Sequence, residues 1–383
     1  MYKHNTFNEI LKLLDRTIVT KSIKKHDSDK HSKGFGTWSH LVSMIFSQLT
    51  DCKSLRDLEI RFNAKSQNHY HLRSRPVKKS TLADANKNRS SFVFRDIAND
   101  LIAGQGNEIK EVVSLLDSSM IRISGRGSEW TEDTKTRCGR GLKLHLQCSG
   151  GDKAIEAASI THANINDITE AKEFSLESGR IYVFDKGYLD FNWWNKIAYI
   201  NSYFVTRIKR NTAYKVIEER SIEGCSEDIV SDKIIELTNK HPGGGRKNLL
   251  AGKALRLVEV YDRGRQKTYL FISNILDKDA DEISLCYKQR WGVELLFKWL
   301  KQNLKVTKFL SESENAIKTQ LYIAIIVYVL IGMFKKMCGD IFRRKIDLLS
   351  WIKIAIFSSH TPLKPPTKHT SLNEKYQICF GAF

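Results

Sequence analysis

Hydrophobic and polar positions change their period three times along the chain. Up to about residue 100 the spacing is helical. Leu41, Ile45 and Leu49, then Leu55, Leu58 and Phe62, recur at three- and four-residue intervals. The polar segment from Lys21 to Lys33 reads as a loop, and so does the basic run His71 to Lys79. Ser80 then reads as the N-cap of a polar helix through TLADANKNR. From about 110 the apolar residues gather into short or alternating runs. EVVSLLDSS and RIYVFDKGY are apolar stretches that meet an aspartate, and GLKLHLQCS alternates Leu142, Leu144 and Leu146 with Lys143, His145 and Gln147. AIEAASIT is a further candidate strand, and NDITEAKEFSLES reads as a helix. SYFVTRIK, ALRLVEVYD and QKTYLFISN continue the strand pattern around the loop HPGGGRKN. After about 280 the helical period returns and runs into the uncharged stretch Leu321 to Phe334.

That stretch is shorter than the roughly 20 residues a bilayer needs, so it reads as a buried core helix. The order strand, strand, strand, helix, strand is that of a ribonuclease-H-like core, although other folds share it. Composition adds little to this picture, with 41% hydrophobic and 27% charged residues. Charge adds more. Sixty-two Lys and Arg against 43 Asp and Glu leave a net +19, a self-repulsion most easily relieved by a polyanion. Nucleic acid fits better than an anionic membrane surface, because the cations are spread along the whole chain. The seven cysteines are scattered and form no CxxC pair, which argues against zinc or a disulfide framework and for a reducing compartment. The opening MYKHNTFNEILKLLDR has no uninterrupted apolar core, so a cytoplasmic location is expected. Gly243, Gly244 and Gly245 lack the Gly-Lys-Ser/Thr ending of a phosphate loop and read as a turn.

The clearest chemical pattern surrounds Glu294. On one continuous helix Tyr287, Arg290, Glu294 and Lys301 fall within an arc of about 60°. Leu285, Leu295, Leu296, Trp299 and Leu300 then take the opposite, buried side. A solvated charged face is the alternative reading of the same residues. Asp117 and Asp185 each follow an apolar strand, and a surface turn or helix cap is the alternative for either. His145 and His162 have no partner spacing that implies a metal.

Tyr287-x2-Arg290-x3-Glu294-x6-Lys301 resembles the YREK signature of the DDE transposases of insertion-sequence family four. LLDSSMI, with Asp117, is similar to that family's first aspartate motif, with DSS where many members have DST. VFDKGYLDF, with Asp185, Gly187 and Tyr188, is similar to its DxGY motif. The amino-terminal WSHLVSMIFSQLTDCKSLRDLE and STLADANKNR also resemble the family, so the likeness covers nearly the whole chain.

The resemblance implies an α/β multidomain fold. Residues 1–105 would form a helical DNA-binding region. Residues 106–198 and 280–360 would form the ribonuclease-H-like core, residues 199–279 a β-rich insertion, and residues 361–383 a tail. It implies two divalent metal ions, Mg²⁺ or Mn²⁺, held by Asp117, Asp185 and Glu294 as the catalytic acids. Tyr287, Arg290 and Lys301 would grip phosphates. Trp193 and Trp194 would stack on a flipped base, against the preferred reading that both are core. The implied activity is cleavage at insertion-sequence ends followed by strand transfer into target DNA, by a homodimer bound to DNA in the bacterial nucleoid. No membrane and no small-molecule substrate are expected. A catalytically inactive DNA-binding relative and a metal-dependent nuclease without strand transfer are the rivals.

Overall fold

The computed structural model describes residues 5–105, 112–123, 129–131, 141–242, 245–304, 306 and 308–358. The tail 361–383 and the glycines Gly243 and Gly244 lie outside the described residues. The chain divides into two compact units, one of residues 1–105, 123–133 and 299–383, the other of residues 106–122 and 134–298.

The first unit is helical. It contains α1 (Thr6–Lys12), α2 (Arg16–Lys25), α3 (Thr37–Thr50), α4 (Leu55–Asn63), α5 (Lys79–Asn88) and α6 (Ser91–Gln105). Two of these depart from the sequence pattern. Lys21 to Lys25 are the last turns of α2 rather than loop, because Ser22 Oγ donates to Val93 O at 2.8 Å and Lys21 and Lys25 pair with Asp100 and Asp96 on α6. The α5 helix starts at Lys79, so Ser80 lies inside it. Glu59 of α4 accepts from the Lys79 N–H at 3.1 Å and so satisfies one of the free N–H groups of the first turn.

In the second unit the strands are β1 (Val113–Arg122), β2 (Gly141–Ser149), β3 (Ile155–His162), β4 (Ile181–Phe184), β5 (Tyr203–Arg207), β6 (Tyr214–Arg220), β7 (Ile229–Leu237), β8 (Ala254–Asp262) and β9 (Lys267–Ser273). The helices α7 (Asp167–Ala171), α8 (Phe191–Tyr199) and α9 (Ala280–Gln289) lie between or after them, and α10 spans Trp291–Asn303. All the described strands join one sheet in the order β3-β2-β1-β4-β5-β9-β8-β7-β6. The first five make the ribonuclease-H-like core, with β1, β4 and β5 parallel and β2 antiparallel to β1. Strand β5, expected in the insertion, is thus the fifth strand of the core, and the four strands β6 to β9 extend the sheet by pairing β9 to β5. One face is covered by α8, whose Trp193, Trp194 and Ile197 are buried with Phe184 and Phe204. On the other face lies α9.

The remaining helices, α11 (Glu314–Cys338) and α12 (Lys345–Ala355), belong to the first unit, where α11 packs on α3 and α6 and α12 on α3 and α11. By length and composition alone α11 is long and apolar enough to cross a membrane. Its residues from Ala316 to Ile331 are instead almost all buried inside the helical unit. The expected core helix is therefore present, but in a different unit from the sheet.

Candidate active site

Register brings Asp117 and Asp185 together. Leu115 of β1 is paired with Val183 of β4; Asp117 lies two residues further along β1, and Asp185, two residues beyond Val183, follows the last residue of β4 in extended backbone. Side chains two apart share a face, so both carboxylates stand at one rim, on the α9 side, on strands that run about 4.8 Å apart. Asp185 is fixed by its own turn, its Oδ1 accepting from the Gly187 N–H at 2.7 Å. Asp117 Oδ1 accepts from the Ser118 N–H at 2.8 Å.

The segment around Glu294 comes to this rim through a break in the expected helix. α9 ends at Gln289 and α10 starts at Trp291. The Arg290 N–H bonds to Tyr287 O and the Val293 N–H to Arg290 O, both three residues back, so the turn is tighter than α-helical. That junction re-aims the projection. Leu285 and Leu295 are 59% and 50% exposed, whereas Leu296 and Leu300 are buried. A close approach also helps to seat it. A Cβ on Gly150 would lie 2.5 Å from Gln289 Oε1 and 3.0 Å from Val113 Cβ, so a larger residue there would have to displace the Gln289 side chain and press on Val113.

Arg290 then sits among the acids. Its guanidinium pairs with Asp117 Oδ2 at 3.2 Å and with Glu294 on the next turn. Burial pushes the Asp117 carboxyl up to about 7; Arg290 and the Ser118 N–H pull against this, and the charges of Asp185 and Glu294 add to it. Burial opposes the Arg290 charge, but Tyr287, Glu294 and Asp117 hold its pKa above the usual arginine value. Tyr287 stacks on Phe271 at 4.4 Å between the guanidiniums of Arg207 and Arg290, 5.8 and 5.7 Å from its ring centre. Among the described residues, no three His, Cys, Asp or Glu side chains converge closely enough to share one metal ion. The expected three-carboxylate convergence is therefore not present in this arrangement. Arg290, rather than a common centre, links Glu294 to Asp117.

Several residues at the rim were not singled out from the sequence. Asp167, at the start of α7, accepts from Ser118 Oγ at 2.7 Å and from Lys143 Nζ at 3.0 Å. His145 Nδ1 is 3.9 Å from the same oxygen, and burial holds that imidazole down to about 4, hence neutral. The Tyr188 hydroxyl is pushed well above its usual pKa by burial and by Asp117, Asp167 and Asp185. Tyr188 and Ser118 stood inside recognisable motifs, but Asp167 and Arg207 carried no spacing signal.

Other candidates fall elsewhere. Trp193 and Trp194 are 3% and 0% exposed, and Trp194 Nε1 donates to Tyr188 O at 3.0 Å. They are core, so a stacking role for either is corrected: a base would reach them only if that core opened. Lys301 belongs to the helical unit and not to the unit that holds the acids.

Comparison with known proteins places this geometry in context. Residues 108–330 match a family described as the transposase DDE domain, and residues 3–72 match one described as a domain of unknown function. A protein of Sinorhizobium fredii named as a transposase is 34% identical over 258 residues, covering 65% of this chain and 69% of its own. A protein of Synechocystis named as the transposase of insertion sequence element IS4SA is 27% identical, over 69% of this chain and 73% of its own. One from Geobacillus stearothermophilus, named for element IS5377, is 23% identical, over 65% of this chain and 63% of its own. A cryo-EM structure of a piggyBac transposase synaptic complex with hairpin DNA aligns at a TM-score of 0.49 and 15% identity, over 97% of this chain and 84% of that one.

Proposed function

The chain belongs to the DDE transposases, and from that membership we propose that Asp117, Asp185 and Glu294 are its catalytic carboxylates in cleavage and joining of insertion-sequence ends. A transposase is an enzyme acting on DNA, and dependence on a divalent metal goes with the family in general. The chemistry of the donors, though not their present spacing, suits such an ion: they are hard carboxylate oxygens, and the Asp117 carboxyl is driven toward its protonated form by burial and by its acidic neighbours. Bound there, Mg²⁺ or Mn²⁺ would supply a nucleophilic water at neutral pH and relief of charge on the phosphoryl oxygens.

The protein's own groups do the rest. Asp117 and Asp185 are presented from neighbouring strands, and Arg290 holds Glu294 to the same rim. Among the described residues the Tyr287 hydroxyl, Arg290 Nε and Arg207 Nε are buried without a well-aligned hydrogen-bond partner. Three donors left in this way around one ring suit a scissile phosphate, whose oxygens would accept from them. The order of events is cleavage that frees a 3′-hydroxyl at the element's end, then attack of that hydroxyl on target DNA, with two copies of the chain pairing the ends. The DNA substrate sets the location, the bacterial cytoplasm.

The observation that carries this reading is the shared register of Asp117 and Asp185, with Arg290 tying in Glu294. It is tested on DNA carrying the element's own ends, with Mg²⁺ or Mn²⁺. Glu294→Gln and Asp185→Asn should each reduce cutting by at least about 100-fold at unchanged melting temperature. Cutting at the wild-type rate by either variant would remove the assignment.

A further inference from the structure

We propose that a cavity among the amino-terminal helices binds an unpaired nucleotide, at a site separate from the carboxylate rim. The cavity is about 830 Å³ and lies between the end of α1, the start of α2, Trp38 of α3 and the turn Tyr70–Arg73. It faces a ligand with two guanidiniums and an open aromatic ring. Arg16 lies flat on Trp38, 4.0 Å from the ring centre, and Trp38 is itself anchored by Nε1 donating to Leu72 O at 2.9 Å. Arg73 lines the same cavity. Burial and then the charge of Arg73 lower the Arg16 pKa, so the two cations act on one another.

Neither guanidinium has a carboxylate partner among the described residues. The nearby Asp15 is committed to capping α2, accepting from the Thr17 N–H at 2.8 Å and its hydroxyl at 2.7 Å, and Lys12 pairs with Glu9. Two like charges held close without a counterion favour an anion, and the guanidinium fork matches phosphate oxygens. The backbone points the same way. Arg73 has φ +49°, a left-handed conformation uncommon for a long side chain, inside a turn closed by Ser74 N–H to His69 O. Beside it the Tyr70 ring is 80% exposed and touches only the edge of His71 among the described rings. Cations for a phosphate next to a free aromatic face for a base are the parts of a single-strand site. A duplex keeps its bases stacked inside and would leave Tyr70 unused.

The test uses the full chain in EDTA, so that no metal-dependent cutting alters the DNA. A labelled single strand of about twelve thymidines and a duplex of equal length are titrated by fluorescence anisotropy. Tyr70→Ala should weaken single-strand binding about tenfold and duplex binding about twofold or less, because Tyr70 is exposed and its loss leaves the fold intact. Arg73→Ala should weaken the single strand by a similar factor and reduce its salt dependence by about one phosphate contact. Wild-type single-strand affinity in Tyr70→Ala, or equal losses on single strand and duplex, would overturn the proposal. Neither result would bear on metal-dependent cutting.

Discussion

Arg290 and Asp117 are 173 residues apart in the chain and meet at 3.2 Å. The same guanidinium holds Glu294, so a single cation balances two acids of the rim. Replacing it with a neutral side chain exposes the repulsion it masks. Arg290→Gln should lower stability in EDTA by about 1–3 kcal/mol, less than for a fully buried pair because Glu294 is about a third exposed. Added Mn²⁺ should then raise the melting temperature of Arg290→Gln more than that of the wild type. Equal gains in the two proteins would mean that Arg290 does not stand in for cationic charge at the rim.

The raised Asp117 carboxyl fixes a sign for the pH dependence. The unfolded group titrates near its model value of 3.8 and the folded one near 7, so the native state keeps a proton that the unfolded chain has lost. The stabilisation this group contributes is full below about pH 4 and disappears as pH rises through about 7. Asp117→Asn carries no such loss. In EDTA its melting temperature should match the wild type near about pH 4 and exceed it by on the order of 5 °C near about pH 8. Thermal melts across that range check it, and a gap that shrinks with rising pH would refute it.

The acids were legible because each follows a short apolar run, although Asp117 proves to be the fifth residue of the ten-residue β1 and only Asp185 stands at a strand end. The break at Arg290 was not legible, since helical periodicity continues across it and only the three-residue hydrogen bonds of the junction reveal it. The grouping of α11 with the helical unit was equally hidden, because an all-round apolar helix does not say which neighbours bury it. Asp167 escaped because its role rests on Ser118 and Lys143, contacts from other strands that no linear spacing encodes.

Burial of Trp194 sets apart two roles that the sequence left open. Its ring lies between Phe191 and Phe204, and its N–H is satisfied by Tyr188 O. Trp194→Ala should therefore cost about 3–5 kcal/mol in urea unfolding. Any loss of DNA cutting should track the unfolded fraction. A variant that kept its full unfolding free energy but lost cutting would restore the base-stacking role.

Arg256 and Asp232, on the neighbouring strands β8 and β7, form a two-pronged ion pair at 2.8 and 2.6 Å with both side chains under 5% exposed. Arg256 also donates to Lys278 O just before α9, so the pair joins the inserted strands to the helix that reaches the acids. Removing one partner leaves an uncompensated buried charge, whereas removing both leaves none. Asp232→Ala should thus lose about 3–5 kcal/mol, and Asp232→Leu combined with Arg256→Met should lose far less. Urea unfolding of the single and double variants gives the comparison. If the double variant is as unstable as Asp232→Ala, what matters is the hydrogen bond to Lys278 O rather than charge balance, and cutting activity should then fall in both for the same reason.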